Sequence, residues 1–562
     1  MHLLLVPADD DAVRLARLDA HGVLLGEPWQ LGREDLPAAV AGLERDEAPR
    51  WVWDTTSDLY SALLQAGTRL ARCHDISLAR TVLRFSTLVQ DPDYARFALD
   101  VTGSAEYPVS DAVEPEQRQE SLFEAPRSHR SLEEVRQEFA AQLKAVETSR
   151  APARLRLLLA AESAAALVAA EMRFLGVPWD QAVHRELLEE ALGPEPAPGR
   201  RPALMEDLVV RLRELLRAPR LNPDSPQELL KTLHRNGIEV KTTRQWELKS
   251  SDHPAIEPLL EYKKLSRLHT ANGWTWLDAW IRDGRFRPDY VVGGVVTGRW
   301  SSRGGGALQI PRSVRRAARA LPGWKLLVAD ASQVEPRILA AMSADEGMAR
   351  AARGQDLYAE IADAGFGGSR SSAKIALLGA MYGSTTGESA RLMPQLKKLY
   401  PRAIALVEEA ARTGERGGAV STWLGRSTPP PGPDWDAAQR TQSQEEQRRA
   451  DAWARARGRF TRNFVVQGTA AEWAECWLAG IRSRLAGLPL PDGAEAASPT
   501  GPAELVFFLH DEIMIHAPEE LMPRCVEAVE SAAREAGTLL FGRAPVDFPL
   551  TVAVVDSYDQ AK

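Results

Sequence analysis

The sequence predicts an α+β protein of two or more domains. Three observations carry this. A few apolar runs of strand length stand among long Ala-, Leu-, Glu- and Arg-rich stretches of helical periodicity. The strand-like runs concentrate at the N-terminus, near residues 325–329 and at 505–515. The chain has 562 residues, too many for one hydrophobic core.

Residues 1 to about 100 read as a small mixed domain, with strands at Leu3–Val6, Val13–Leu18 and Trp51–Trp53 and helices at Leu59–Gln65 and Ser77–Leu83. From Val101 to His129 the composition turns to Glu, Ser, Pro, Gln and Asp; it buries too little apolar surface to offset ordering entropy and reads as a flexible linker. Ser131–Trp179 is helical up to Gly176-Val177-Pro178. Further helices run through 180–287, broken at Pro194-Glu195-Pro196 and near Asn222-Pro223. Strands are expected at Asp289–Val296 and Lys325–Ala329, and helices over 346–480 interrupted by a loop at Pro429–Pro433. A hairpin at 505–515, a helix and a strand close the chain, and there is no internal repeat.

Hydrophobic content of 44% and charged content of 26% are ordinary for a globular protein. Cys73, Cys476 and Cys525 lack CxxC spacing, which excludes a disulfide scaffold and a cysteine zinc site. No signal-peptide pattern and no apolar run of membrane-spanning length occur, so a cytoplasmic location is expected. The net charge of −8 argues little about nucleic acid, because phosphate responds to local charge. From Arg299 to Arg319 six arginines occur with no acid among them.

Asp330 follows the apolar strand Lys325–Ala329, and Asp511 lies in the tight turn between Leu505–Leu509 and Ile513–Ile515. Carboxylates delivered from separate strands suit a pair of divalent metals in phosphoryl transfer, provided the strands are neighbours. Alone, either aspartate reads as a turn or capping residue. Arg370, Lys374, Leu378 and Tyr382 recur every fourth residue and share one helix face opened by Ser369 or Arg370. An Arg fork beside a Lys point charge suits β- and γ-phosphates, and Tyr382 is placed to stack near a base. Arg459, Asn463 and Gln467 repeat that spacing and suit sugar, phosphate or minor-groove acceptors. Each helix by itself is also compatible with an ordinary solvated polar face.

With these strings in order, the sequence resembles family A DNA polymerases, the polymerase I-like group, from about Ala161 to the C-terminus. The likeness lies in Glu162…Glu171-Met172-x-x-x-Gly176-Val177-Pro178-x-Asp180, in Asn222-x-x-Ser225-Pro226-x-x-Leu229 and in Glu261-Tyr262-Lys263-x-Leu265. It continues in Thr297-Gly298-Arg299-Trp300-Ser301-Ser302…Leu308-Gln309-Ile310-Pro311, the Asp330 string, Arg370–Gly383 and His510-Asp511-Glu512. The resemblance implies a right-hand fold whose polymerase domain spans 131–562: thumb about 160–287, palm with an antiparallel sheet about 288–345 and 451–562, fingers about 346–450. A small α/β exonuclease-like domain (1–100) and the linker (101–130) precede it.

It further implies template-directed addition of dNMP to a primer 3′-hydroxyl, in repair or replication, by a nucleoid-associated monomer. Two Mg²⁺ ions, for which Mn²⁺ can substitute, would be held by Asp330, Asp511 and the Ala331 carbonyl. Arg370, Lys374, Tyr382, Gln333, Glu335, Leu378 and Tyr358 would bind dNTP, Lys374 also serving as general acid and Glu335 as the gate against a ribose 2′-hydroxyl. Arg299, Ser301, Arg337, Arg459, Asn463, Gln467 and His510 would contact DNA.

The sequence departs from the family pattern at several points. Leu378 stands for an aromatic, Tyr358 for a His, Pro336 for an aliphatic, and the Asn of LQNIP is missing between Gln309 and Ile310. In the first domain Trp53-Asp54-Thr55-Thr56 offers an Asp without the Glu of an Asp-x-Glu pair, which implies a degenerate exonuclease without proofreading. Gln119-Glu120-Ser121-Leu122-Phe123 is similar to the QxSLF peptides that dock polymerases on the sliding clamp, with Gln119, Leu122 and Phe123 as anchors. Two other classes stay open: a single-subunit RNA polymerase, opposed by Glu335, and a non-catalytic DNA-binding scaffold, opposed by the presence of both Asp330 and Asp511.

Overall fold

The run Leu3-Leu4-Leu5-Val6 alternates between two cores. In the computed structural model Leu3 and Leu5 pack with Val40, Trp51 and Leu63, while Leu4 and Val6 pack with Ile76, Val135 and Phe139. The structure describes the chain except residues 9–10, 95, 98–129, 305, 307–309, 355, 384–386, 490–497 and 562. The clamp-like string Gln119–Phe123 and nearly all of the expected linker therefore lie outside the described residues. The chain divides into two compact units, one of Met1–Leu175, Tyr290–Ser301 and Leu327–Ala553, the other of Gly176–Asp289, Ser302–Leu326 and Val554–Lys562.

The first unit begins with five strands: β1 (His2–Ala8), β2 (Ala12–Leu18), β3 (Trp29–Gly32), β4 (Arg50–Trp53) and β5 (Cys73–Asp75), in the order β3-β2-β1-β4-β5. β1, β2 and β3 form an antiparallel meander, and β4 and β5 continue parallel to β1. Helices α1 (Leu36–Glu47), α2 (Thr56–Gln65), α3 (Ile76–Leu83), α4 (Leu132–Glu147) and α5 (Pro152–Leu175) accompany this sheet. Ser131 and Glu134 close a reciprocal capping box on α4, a device worth about 1 kcal/mol. The sequence assigns α4 to the polymerase part, but its stripe of Leu132, Val135 and Phe139 packs on the N-terminal sheet. A buried lock then ties α5 to α2 and to a distant helix: Arg482 donates to Glu171 at 2.9 and 2.7 Å, and the Tyr60 hydroxyl donates to Glu171 at 2.6 Å.

The second unit is mainly helical: α6 (Gln181–Leu192), α7 (Ala203–Leu215), α8 (Pro226–Arg235), α9 (Gln245–Leu248), α10 (Ile256–Asn272) and α11 (Trp274–Trp280). Asp180 caps α6 through the backbone N–H groups of Ala182 and Val183. Trp276 packs within 5.5 Å of Trp179 and 5.2 Å of Phe286, giving this unit an aromatic core.

The strand expected at Asp289–Val296 forms only over Tyr290–Val291. Beyond it Gly293 takes φ +60°, the Gly294 N–H reaches the Val291 carbonyl at 3.2 Å, and Val295 donates to Arg299 at 3.0 Å. The paired glycines turn the chain where apolar content alone reads as strand.

The first unit resumes at Leu327, within β6 (Trp324–Ala331), and continues through α12 (Val334–Ser343), α13 (Glu346–Ala351), α14 (Leu357–Gly365), α15 (Arg370–Tyr382), α16 (Gly387–Leu399), α17 (Pro401–Glu415) and α18 (Gln444–Ala486). The hairpin β7 (Glu504–Leu509) and β8 (Glu512–Pro518), α19 (Met522–Phe541) and β9 (Leu550–Val555) complete it. The second sheet runs β7-β8-β6-β9. Its core includes Trp473, stacked 5.4 Å from Trp477 and 5.0 Å from Phe548. Among the described residues no helix is long and apolar enough to cross a membrane.

Candidate active site

The two singled-out aspartates meet because of strand order. β8 lies beside β6, so the tip of the β7–β8 hairpin falls at the end of β6. There the Ala331 N–H donates to the Asp511 carbonyl at 2.8 Å, which puts the Asp511 backbone against the residue after Asp330. The turn is two residues long, His510-Asp511, with Leu509 opposite Glu512. His510 takes φ +58°, a left-handed conformation that such a tight hairpin demands and that a non-glycine residue adopts only under constraint. Tyr290 stitches the edge strand beside this turn, accepting from Phe508 N–H at 3.0 Å and donating to Phe508 O at 2.7 Å. Trp300 packs edge-on to both Tyr290 and Phe508, at 5.2 and 5.0 Å. The Thr297–Ser301 segment is thereby fixed beside the hairpin, with the Ser301 hydroxyl occupying the space a Cβ on Gly294 would need.

The donor set suits a hard divalent ion. The two aspartates stand at adjacent main-chain positions, and among the described residues no group of three or more His/Cys/Asp/Glu forms a self-sufficient cage. Mg²⁺ fits such a pair, since it keeps water and substrate phosphate in its remaining positions.

Helix α15 begins where the sequence places it. Ser369 caps it by accepting from the Ser372 N–H, and Gly383 ends it at φ +72°. Ala373, Ala376, Leu377, Ala380 and Met381 are buried, while Arg370, Lys374 and Tyr382 are exposed and Leu378 half-buried on the opposite face. The Arg370 Nε donates to Asp356 at 2.6 Å, and its guanidinium lies 5.5 Å from the Tyr358 ring centre. Lys374 forms no ion pair or hydrogen bond among the described residues, so its ammonium stands ready for an anion.

Asp356 is the residue that sequence reasoning missed. It caps α14 through the N–H groups of Tyr358 and Ala359 and also receives the Gln333 amide at 2.8 Å. Gln333 in turn accepts from the Leu357 N–H at 2.8 Å, from a left-handed position (φ +59°) at the start of α12. Burial alone would raise the Asp356 carboxyl, but hydrogen bonds from Arg370, Gln333 and Ala359 N–H outweigh it and hold it below the usual carboxylate range. An Asp just before a helical run is an N-cap signal, and that rule singles out Asp356 without the structure.

Glu335, the second residue of α12, joins the loop to the helix: it pairs with Arg299 and accepts from the Tyr382 hydroxyl at 2.5 Å. Partial burial and the Glu335 charge push the Tyr382 phenol above its ordinary range. The buried Tyr358 phenol is pushed up to about 12, by burial first and then by Glu335. Both phenols therefore remain neutral hydrogen-bonding groups near neutral pH.

On α18, exposure falls along the predicted face, from exposed Arg459 through half-buried Asn463 to buried Gln467. The Arg459 stem lies against Gly383, where an added Cβ would come within 3.1 Å of its Cγ. The end of α15 and the Arg459 turn of α18 are thus brought together. Arg337 is a correction. It is fully buried and donates to four carbonyls, of Ser332 (3.0 Å), Ala352 (2.7 Å), Gly354 (2.8 Å) and Asp547 (2.9 Å), so it braces this corner rather than contacting DNA.

At the C-terminal end of β4, Asp54 accepts from Arg80 (3.3 Å) and Arg130 (2.9 Å), and both arginines also pair with buried Glu138. The described β1 residues, HLLLVPA, include no carboxylate.

The model of DNA polymerase family A matches residues 205–558. DNA polymerase I of Thermus filiformis, described as thermostable, is 29% identical over 333 residues, covering 54% of this chain and 36% of that protein. DNA polymerase I of Chloroflexus aurantiacus is 28% identical over 414 residues, covering 65% of this chain and 39% of its own length. The chain thus spans little more than a third of these curated relatives. In fold it is similar to the polymerase domain of Pol1 from M. smegmatis, solved with DNA primer-template and dNTP, with TM-score 0.70 at 19% identity, covering 100% of this chain and 95% of that one.

Proposed function

The chain belongs to DNA polymerase family A, and on that premise we propose that it is a DNA-directed DNA polymerase acting on primed DNA and dNTPs. The observation that carries this reading is the hydrogen bond from Ala331 N–H to Asp511 O, which joins the two aspartate-bearing elements. Asp330 and Asp511, with the Ala331 carbonyl, would hold Mg²⁺, for which Mn²⁺ would substitute. Bound there, two such ions would supply a lowered pKa to a primer 3′-hydroxyl and positive charge to the triphosphate.

The protein's own groups do the rest. Arg370 grips the triphosphate with its fork, and Lys374 neutralises it and gives a proton to the departing pyrophosphate. Gln333, Tyr358, Leu378 and Tyr382 bound the space for the nucleotide, and Glu335 closes it against a 2′-hydroxyl. Arg299, Ser301, Arg459, Asn463, Gln467 and His510 form the DNA contacts. The N-terminal sheet domain (1–100) is a degenerate exonuclease without proofreading, a reading supported by the missing Glu after Asp54 and by the Arg80 and Arg130 donors on the Asp54 carboxylate. A nucleoid-associated monomer in repair or replication, tethered to the sliding clamp through Gln119, Leu122 and Phe123, completes the proposal, with thumb, palm and fingers at 160–287, 288–345 with 451–562, and 346–450.

Extension of a labelled primer–template with Mg²⁺ and dNTPs tests it. Wild type extends the primer and Asp330→Ala loses at least about 10³-fold in rate. Shortening of the primer without dNTPs would refute the inactive-exonuclease part. No extension with either metal would shift the reading to a DNA-binding scaffold.

A further inference from the structure

Within the first compact unit, the N-terminal domain grips one short turn, residues 421–427, between α17 and α18. Ser421 and Ser427 bridge across this turn, and the Thr422 N–H donates to the Arg426 carbonyl at 2.8 Å. Three residues that follow α3 hold it from outside. The Ser86 hydroxyl donates to the Gly425 carbonyl at 2.7 Å, and the Thr87 N–H donates to the Ser427 hydroxyl at 3.0 Å. The Thr87 and Ser421 hydroxyls meet at 2.7 Å. Leu88 closes over Gly425, where an added Cβ would fall 2.5 Å from its Cδ1. From inside, Glu472 of α18 accepts from the Leu424 N–H at 3.0 Å and from the Thr422 hydroxyl.

This turn carries one inward charge. Arg426 is buried and pairs with buried Glu162 of α5. Its stem and guanidinium lie against Gly298, which takes φ +90°; a Cβ there would stand 2.6 Å from the Arg426 Nε and 3.0 Å from its Cζ. Glu162 lies against Gly293, with its Oε2 3.5 Å from where a Cβ would be. The ion pair therefore supports both ends of the 293–298 loop. Inside the loop the Gly298 N–H donates to the Val295 carbonyl at 2.8 Å, and the Val295 N–H donates to the Arg299 carbonyl at 3.0 Å. A shift at Gly298 is thereby passed to Arg299, whose guanidinium pairs with Glu335. Arg426 itself, 5% exposed, is too deep to reach a ligand.

We propose that Arg426 is a positioning residue for primer–template binding, setting Arg299 through Gly298, and that Ser86, Thr87 and Leu88 act through Arg426. The N-terminal domain then supports DNA binding by a route that needs no nuclease activity and no nucleic-acid contact of its own. Charge-assisted hydrogen bonds to phosphate or base edges are sensitive to donor placement, so a loosened loop weakens them without removing any donor. The proposal rests on the reading of Arg299 as a DNA contact.

Equilibrium binding of a labelled primer–template tests it on the full chain, as wild type, Ser86→Ala/Leu88→Ala, Arg299→Ala and all three substitutions together. The N-terminal pair leaves the Glu162–Arg426 charges and every group around Arg299 in place. It is expected to raise the Kd for DNA about fivefold. In the Arg299→Ala background the same pair should change Kd by less than about twofold, because the residue through which it acts is gone. A partly unfolded sample loses binding amplitude but keeps its Kd, so loss of fold does not imitate this result. Arg426→Lys, which keeps a charge opposite Glu162 but not the flat face on Gly298, is expected to weaken binding by a similar factor. The proposal is overturned if the N-terminal pair binds DNA as wild type does, or if its loss persists in full without Arg299. Normal DNA binding by Arg299→Ala alone would instead refute the contact made by Arg299, and the proposal with it.

Discussion

Arg337 and Asp356 exchange the roles that residue type assigns them. Arg337 ends the Asp330 string, where an arginine reads as a phosphate contact, yet its guanidinium donates to the main-chain carbonyls of Ser332, Ala352, Gly354 and Asp547. Burial lowers its pKa to about 10, which still leaves it charged at neutral pH. Arg337→Met is therefore expected to cost roughly 1–3 kcal/mol, because the buried Ala352 carbonyl loses its donor and the part-buried carbonyls of Ser332, Gly354 and Asp547 lose theirs. Urea unfolding measures it, and a loss of DNA affinity without loss of stability would return Arg337 to the DNA contacts. Asp356, by contrast, holds the Arg370 guanidinium and the Gln333 amide together. Three residues from three separate elements meet there, and no spacing rule reports that meeting.

At the scale of elements, α18 shows how a long helix changes task along its length. Its first half is largely exposed and polar; its second half buries Trp473 and Trp477 and two acids, Glu472 and Glu475, close to buried Arg426 and Glu162. Glu472 is served by Thr422 and by the Leu424 N–H at 3.0 Å, whereas neither Glu475 oxygen has a hydrogen-bond partner. Burial raises Glu472 to about 7 and Glu475 to about 8. An acid whose folded pKa lies above its unfolded value holds more protons when folded, so stability falls as pH rises from about 4.5 towards 8. Glu475→Gln removes part of that loss. Its Tm should match wild type near about pH 5 and exceed it near about pH 8.5, and parallel Tm–pH curves would defeat the assignment. The helix itself, its Ser443 cap and its Arg459-Asn463-Gln467 stripe are legible in sequence. The acid cluster is not, because its members come from α5, the 422–426 turn and α18.

For the whole molecule, the decisive joint is Glu171–Arg482–Tyr60, which fixes the N-terminal sheet within the same compact unit as the aspartate-bearing sheet. Both charges are almost fully buried, and the salt bridge is 2.7 Å. Removing one partner leaves the other charged in a dry site, at a cost of about 3–5 kcal/mol. Arg482→Met should therefore split the thermal transition, the N-terminal sheet melting first. A single transition at the wild-type Tm would show that the joint contributes nothing to coupling. The sequence places a domain boundary near residue 131, since a polar stretch ends there. Packing does not follow it, because the apolar stripe of α4 finds its complement on β1 and β4.

By itself the sequence determined the α+β class, the helices and hairpin, the ordered motifs of DNA polymerase family A and the exposed face of Arg370, Lys374 and Tyr382. These follow from local periodicity, caps and turn chemistry, which are written along the chain. The tertiary structure decided that β8 lies beside β6 and brings Asp511 to Asp330, that Asp356 holds Arg370, that Arg337 is buried, and that Arg426 lies against Gly298. Each of those depends on which distant segments exclude water together, and burial across hundreds of residues leaves no local period to read.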